Sequence, residues 1–355
     1  MLKLIGCTDA TEWDSVVTSF ENWDVYYLNA YAKSLEIHGD GKAFLIFYEK
    51  EGERLCYPVI QKDIAADAEF SSLLPQRSLY DWETPYGYGG PLSNVQHFSS
   101  VTQEDFKHEL TLYCLDNHIV SQFIRYHSLL QNQSVLDEVV EHKILKDTIY
   151  MDLLQGDMIF KNMDAKNRNM VRKAQKAGVS VFCDKGEHLQ EFIEIYNETM
   201  DRDGAQSYYY FEPEYYDILR GPLGKNTVFF YAKLNEKIVA ASIFFYNKYF
   251  MHYHLSGNRT AFRKFAPTNL LLYEAACWGA RRGLKQLHLG GGVNSGEDSL
   301  FNFKKQFNKK GRLPFYIGRM IFNLNAYRSL LILRNKSDLN FNYNNSFYIQ
   351  YRNPR

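Results

Sequence analysis

Lys304 and Lys305 stand one turn inside a segment whose residue types suit the handling of negative charge. From Leu287 to Phe307 the chain reads L-H-L-G-G-G-V-N-S-G-E-D-S-L-F-N-F-K-K-Q-F. An apolar strand runs into Gly290, Gly291 and Gly292, where the missing Cβ atoms allow positive φ and close approach to a ligand. Ser295 or Asp298 can cap the helix that follows, in which Leu300, Phe303 and Phe307 recur at helical spacing. A flexible corner beside fixed positive charge suits a phosphate, a carboxylate or a developing oxyanion. A plain strand-to-helix turn with solvated lysines has the same pattern.

Three further segments offer chemistry. In Tyr80 to Leu92, Y-D-W-E-T-P-Y-G-Y-G-G-P-L, Asp81 is a candidate base, and Tyr86 and Tyr88 offer flat faces and hydroxyls to a sugar or peptide. A glycine-rich bulge and turn would read the same. Arg168, Arg172 and Lys176 recur at i, i+4 and i+8, a cationic stripe fit for phosphate or for solvent. His252 and His254 share a strand face without an evident third ligand, so no metal is expected, and His254 is a second candidate base. Just beyond, Arg263 and Lys264 precede Pro267, Thr268 and Asn269 at a helix start, a natural place for a pyrophosphate. The chain has no G-x-x-x-x-G-K-[ST], no G-x-G-x-x-G and no G-x-S-x-G, which argues against nucleotide hydrolysis, Rossmann redox chemistry and a serine elbow.

Elements able to position these residues follow from the apolar periodicity. Phe44–Tyr48 and Leu55–Ile60 form a predicted hairpin, as do Val228–Lys233 and Ile238–Phe245. Each is followed by a strand, a long helix and another strand: Ser78–Tyr86, Gln103–Asn117 and Ser121–His127, then Tyr249–Ser256, Thr268–Arg282 and Lys285–Leu289. The same order twice implies a duplicated α/β unit with mixed (α+β) sheets, divided into residues 1–155 and 156–355. A basic helix spans Ile159–Ala177 and stops at Gly178, and a polar tail from Arg334 leads to a last strand, Phe347–Tyr351.

Charge divides along the same line. Residues 1–160 hold 11 Lys and Arg against 25 Asp and Glu, and residues 161–355 hold 30 against 16, which points to an anionic partner for the second half or to attraction between the halves. Five scattered cysteines with no C-x-x-C pair suggest reduced thiols. With no long apolar span and too short an apolar run at the start for a signal peptide, a cytoplasmic location is expected, with peripheral contact at the inner face of the membrane as an extension of it.

The order hairpin, strand, basic loop, long helix, strand, glycine corner resembles the acyltransferase fold called GNAT. The run Asn169 to Val179, N-M-V-R-K-A-Q-K-A-G-V, resembles the opening of the second domain in the Fem family, as do P-T-N-L-L-L-Y-E-A, L-G-G-G and the F-K-x-x-F element from Phe303 to Phe307. That resemblance covers nearly the whole chain and implies two tandem GNAT-like domains, an acceptor side first and a basic donor side second. Fem-type enzymes add amino acids from aminoacyl-tRNA to the stem peptide of a peptidoglycan precursor; the wider group is similar to CoA-dependent N-acyltransferases of cell-surface polysaccharides. Their long helical arm has no room here, since Glu187–Arg220 offers one helix and an aromatic loop. By resemblance, Lys304 beside Phe303 stabilises the carbonyl oxygen under attack. The donor, acyl-CoA or aminoacyl-tRNA, meets Arg168, Arg172, Arg263, Lys264, Thr268, Asn269 and Gly291. The acceptor, an amine on a nucleotide- or lipid-linked sugar or muropeptide, meets Asp81, Tyr86, Tyr88 and Phe303. A non-catalytic alternative is a binder of anionic lipid or polysaccharide that rests Lys309, Lys310, Arg312 and Arg319 on a membrane.

Overall fold

A computed structural model describes residues 1–154, 157–293 and 296–353. The chain forms two compact units, residues 1–145 with 315–355, and residues 146–314. In the first, β1 (Leu2–Gly6), β2 (Lys42–Lys50), β3 (Glu53–Asp63) and β4 (Tyr80–Glu83) pair antiparallel in that order. The two-residue β5 (Leu92–Ser93) also lies on β3, and β6 (Ile119–Arg125) returns parallel to β4. Helices α1 (Ala10–Thr18) and α2 (Asn29–His38) precede the hairpin, and α3 (Ser100–Asp116) is the crossover between β4 and β6.

The second unit repeats the scheme. It begins with the end of β7 (Glu141–Asp152), then α4 (Met158–Asn162), α5 (Ala165–Lys176), β8 (Ser180–Asp184), α6 (Leu189–Asp203) and α7 (Pro213–Arg220). Strands β9 (Thr227–Leu234), β10 (Lys237–Tyr246) and β11 (Phe250–Asn258) form an antiparallel meander, with β8 on β9. Helix α8 (Pro267–Arg281) crosses over to β12 (Gln286–Gly290), parallel to β11. Then come α9 (Ser299–Lys305) and β13 (Arg312–Ile321).

Both predicted hairpins are present, and their loops match in kind. Glu51 and Gly52 close the first and Asn235 and Glu236 the second, all four at positive φ, as a two-residue type I′ turn requires. Strand β10 is buried at seven consecutive positions, Val239–Phe245. It can be apolar on both faces because α6 packs on it and so does α8, from the other side of the sheet.

Several expectations need correction. Residues 315–355 pack with the first unit and not the second, because β13 pairs with β6 while β7 pairs with β12: each unit takes its last strand from beyond its own repeat. The division expected at residues 155 and 156 falls outside the described residues, and the units meet in the sequence at Leu145 and again at Pro314. Counted by these units, the charge split shrinks to 16 basic against 23 acidic residues in the first and 25 against 18 in the second. The basic segment Ile159–Ala177 is two helices, α4 and α5, broken at Met163 and Asp164. Helix α10 (Leu324–Ser337) runs four residues into the polar tail, which is otherwise a loop as expected, and Phe347–Tyr351 forms no strand. Its apolar side chains have another use: Ile349 and Tyr351 pack with Ile64, Phe70, Val120, Tyr327 and Leu330.

Candidate functional site

Strands β11 and β12 pair only at Phe250–His252 with Gln286–His288, although β11 continues to Asn258 and β12 to Gly290. Past His252 and His288 each strand keeps only its outer neighbour, β10 for β11 and β7 for β12, so the sheet forks. Tyr253 is the first residue of β11 past this fork, and the glycine corner is the end of β12.

Helix α9 returns Lys304 to this place. Asp298 caps it, its Oδ1 accepting the Phe301 N–H at 2.8 Å; Ser295, the other cap candidate, lies outside the described residues. Phe301 and Phe307 sink into the core, with Phe303 packed against it, and that anchors the helix. Lys304 is only 8% exposed. Its Nζ donates to the Gly291 carbonyl at 2.7 Å and lies 5.8 Å from the centre of the Tyr253 ring. An ammonium has three protons, and among the described residues Lys304 has one acceptor. Burial brings its pKa down to about 7, the Lys146 charge pushes the same way, and Asp298 opposes both. Lys305 instead meets Glu297 at the surface, 3.3 Å away.

Lys146, on β7, donates to the next carbonyl, that of Gly292, at 2.7 Å. A Cβ on Gly292 would stand 2.4 Å from Asp298 Oδ1, so a side chain there would push the helix cap aside. Two ammonium groups and one carboxylate thus surround a run of backbone with no side chains of its own.

On the donor side, α8 opens after Ala266 at φ 55° with Pro267 in its first turn and no side-chain cap. Pro267 has no N–H, so Thr268 carries the first free donor. Arg263 and Lys264 are exposed just ahead of it. Asn269 is a strut: its Nδ2 donates to Oδ1 of the buried Asn167 on α5 at 2.7 Å. Arg172 is exposed over the Phe160 ring, whereas Arg168 turns its guanidinium back to the Met163 carbonyl across the α4–α5 break, so the stripe loses a member.

Both candidate bases have other roles. His254 is the extra residue of a bulge between β11 and β10; it packs with Phe245 and Tyr215, whereas Tyr253, on the Lys304 side, packs with Phe244. The His254 ring stacks on Phe245 at 4.1 Å and its Nε2 meets the Tyr215 hydroxyl at 2.7 Å. Burial, with the nearby His252, brings its pKa down to about 3, so it is neutral and a poor proton acceptor. His254→Gln is expected to leave turnover within about threefold of wild type, checked by steady-state rates on the purified variant. Asp81, in the first unit, holds the chain end: Arg352 grips it twice, at 2.6 and 2.8 Å, and the Tyr351 hydroxyl at 2.9 Å. Burial pushes its pKa up to about 8, with Glu83 acting the same way and the Tyr351 hydroxyl and Lys62 opposing it; the two short bonds from Arg352 have the geometry an ionised carboxylate makes, and they hold it as one.

Tyr88 is half-buried and packs against Tyr26, His127 and Phe315. Tyr86 is exposed and offers its carbonyl to Tyr31. Of the basic residues assigned to a membrane, Arg312 pairs with Asp147 and Glu297, and Arg319 with Glu141. Lys309 and Lys310 are exposed. Sequence reasoning passed over Lys146 and Tyr253, because a lone lysine or tyrosine in a strand carries no signal of its own.

Residues 161–305 match the acetyltransferase (GNAT) domain. None of the curated proteins compared with it matches its sequence. Among solved structures it is similar to FemX, at TM-score 0.67 and 14% identity over 93% of this chain and 99% of that one. It is also similar to L-PGS from Bacillus licheniformis (0.56, 14%, 92% and 96%) and to the C-terminal domain of a candidate lysylphosphatidylglycerol synthetase from Agrobacterium fabrum (0.55, 13%, 92% and 97%). The tandem GNAT-like fold is the one these relatives share. No described helix is long and apolar enough to cross a membrane.

Proposed function

We propose that this chain is an N-acyltransferase that moves an acyl or aminoacyl group from acyl-CoA to an amine of a cell-envelope precursor, an amino sugar or a muropeptide. The observation that carries this reading is Lys304, a buried ammonium with unspent protons beside the fork and the glycine corner. In the reaction the acceptor nitrogen attacks the thioester carbonyl, and a C–N bond forms as the C–S bond breaks. The carbonyl oxygen carries negative charge in between, where Lys304 can donate to it; one such donor is worth roughly 3–4 kcal/mol. The amine's proton leaves to the departing thiolate or to water.

Direct transfer is favoured over an acyl-enzyme. All five thiols, Cys7, Cys56, Cys114, Cys183 and Cys277, have pKa values raised above the ordinary one, chiefly by burial, so none is a ready thiolate. The donor's phosphates would meet Arg172, Arg263, Lys264 and the Thr268 N–H.

The excess of 25 basic over 18 acidic residues in the second unit favours a second reading, with aminoacyl-tRNA as donor, and the fold shared with FemX and L-PGS agrees with it. Fluorescence titration with acyl-CoA and with charged tRNA, at ~50 and ~200 mM salt, separates the two. A few phosphate contacts to CoA give shallow salt dependence, whereas six or more to tRNA would weaken binding by about a thousandfold across that range. Saturable acyl-CoA binding with a shallow slope supports the first reading. Tight, steeply salt-dependent tRNA binding without acyl-CoA binding overturns it.

A further inference from the structure

Three successive carbonyls, of Gly291, Gly292 and Val293, are held by two ammonium groups. Lys304 takes the first, and Lys146 takes the second at 2.7 Å and reaches the third at 3.5 Å. Lys146 enters on β7, outside the 161–305 domain match, and its stem lines the corner: a Cβ on Gly291 would meet Lys146 Cε at 3.3 Å. We propose that Lys146 is a positioning residue for acyl transfer, a second cation that pins the Gly292–Val293 backbone and so leaves protons of Lys304 free for the substrate oxygen. This rests on the role given to Lys304 above.

If Lys146 were absent, the Gly292 and Val293 carbonyls would be open acceptors next to an ammonium with protons to spare, and Lys304 could turn to them. The charged and titratable groups facing Lys304 are Lys146 from β7, Asp298 from the start of α9 and Tyr253 from β11. Asp298 is the carboxylate that acts on both lysines, opposing the effect of burial on each. Next to Lys146 on β7, Asp147 is taken by Arg312 at 3.0 Å.

Lys146→Met removes charge and donor; Lys146→Gln removes the charge and keeps a donor for the carbonyl. In Met the expected kcat falls about tenfold or more with the donor KM unchanged, and Gln recovers most of it. A readout independent of activity is the 13Cε signal of Lys304 in lysine-labelled protein, identified by its loss in Lys304→Met. Its titration midpoint should move up in both Lys146 variants, since a like charge has gone. An unmoved Lys304 signal in either folded variant overturns the proposal, even where Lys304→Met abolishes transfer. A moved signal with no transfer by the wild type would instead support the coupling of the two lysines and sink the acyltransferase reading.

Discussion

Lys304→Met is expected to melt higher than the wild type at pH 6 and yet to lose acyl transfer by about a hundredfold or more. The two effects share one cause. A lysine whose folded pKa is about 7, against the ordinary 10.5, is a group the fold prefers neutral. Below pH 7 it is charged in both folded and unfolded chains, and its burial then costs on the order of 5 kcal/mol relative to the neutral amine. Between pH 7 and 10.5 the unfolded chain binds more protons at this site than the folded one, so stability rises with pH and the penalty fades.

Methionine fills the same channel without the charge, at the loss of one hydrogen bond to Gly291 worth about 1.5–3 kcal/mol. A net gain of a few degrees at pH 6 is expected, shrinking by pH 9, in calorimetric melts of the two proteins. A variant that melts lower at pH 6, or whose advantage grows with pH, contradicts this account. Residues kept at the expense of stability are characteristic of working sites.

Arg352→Met should unfold the first unit more easily by about 3–5 kcal/mol, because it leaves a buried carboxylate without its cation. Asp81 would keep the Tyr351 hydroxyl at 2.9 Å but lose both guanidinium bonds, and the Arg352 contact to Asp67 would go as well. Tyr351 also bonds Ser121 on β6 at 2.8 Å, so the turn Gln350–Arg352 fastens the tail to the sheet. Adding Asp81→Asn to Arg352→Met should recover part of the loss, since both charges are then gone. Urea unfolding followed by tryptophan fluorescence checks this, as Trp13, Trp23 and Trp82 all lie in that unit. Equal midpoints for wild type and Arg352→Met would remove Asp81 from this structural role and reopen it as a candidate base.

Much of the fold was legible because its signals are local. E-G and N-E turns between β-rich runs, a proline-led helix and a glycine stop at Gly178 each depend on neighbours in sequence, and the hairpins, α8 and the end of α5 are where those signals put them. The exchange of β7 and β13 between units was not legible, since nothing in a strand names its partner. Nor was α10: its buried face, Tyr327, Leu330 and Arg334, includes an arginine, which reads as surface. In the site, the glycine corner and Lys304 are close in sequence, so their meeting followed from the helical spacing of α9. The ion pair of Asp81 was not legible, because an acid at a strand end before a glycine- and tyrosine-rich turn looks like part of a substrate wall. Only the fold brings Arg352 back to it across some 270 residues.

The most direct test is turnover by Lys304→Met beside its melting curve, with acyl-CoA and charged tRNA offered as donors to amine acceptors. The expected result is transfer by the wild type from one donor class, and at least a hundredfold less by a variant that melts as high or higher. Transfer at the wild-type rate by a folded Lys304→Met would show that the buried ammonium only closes the glycine corner.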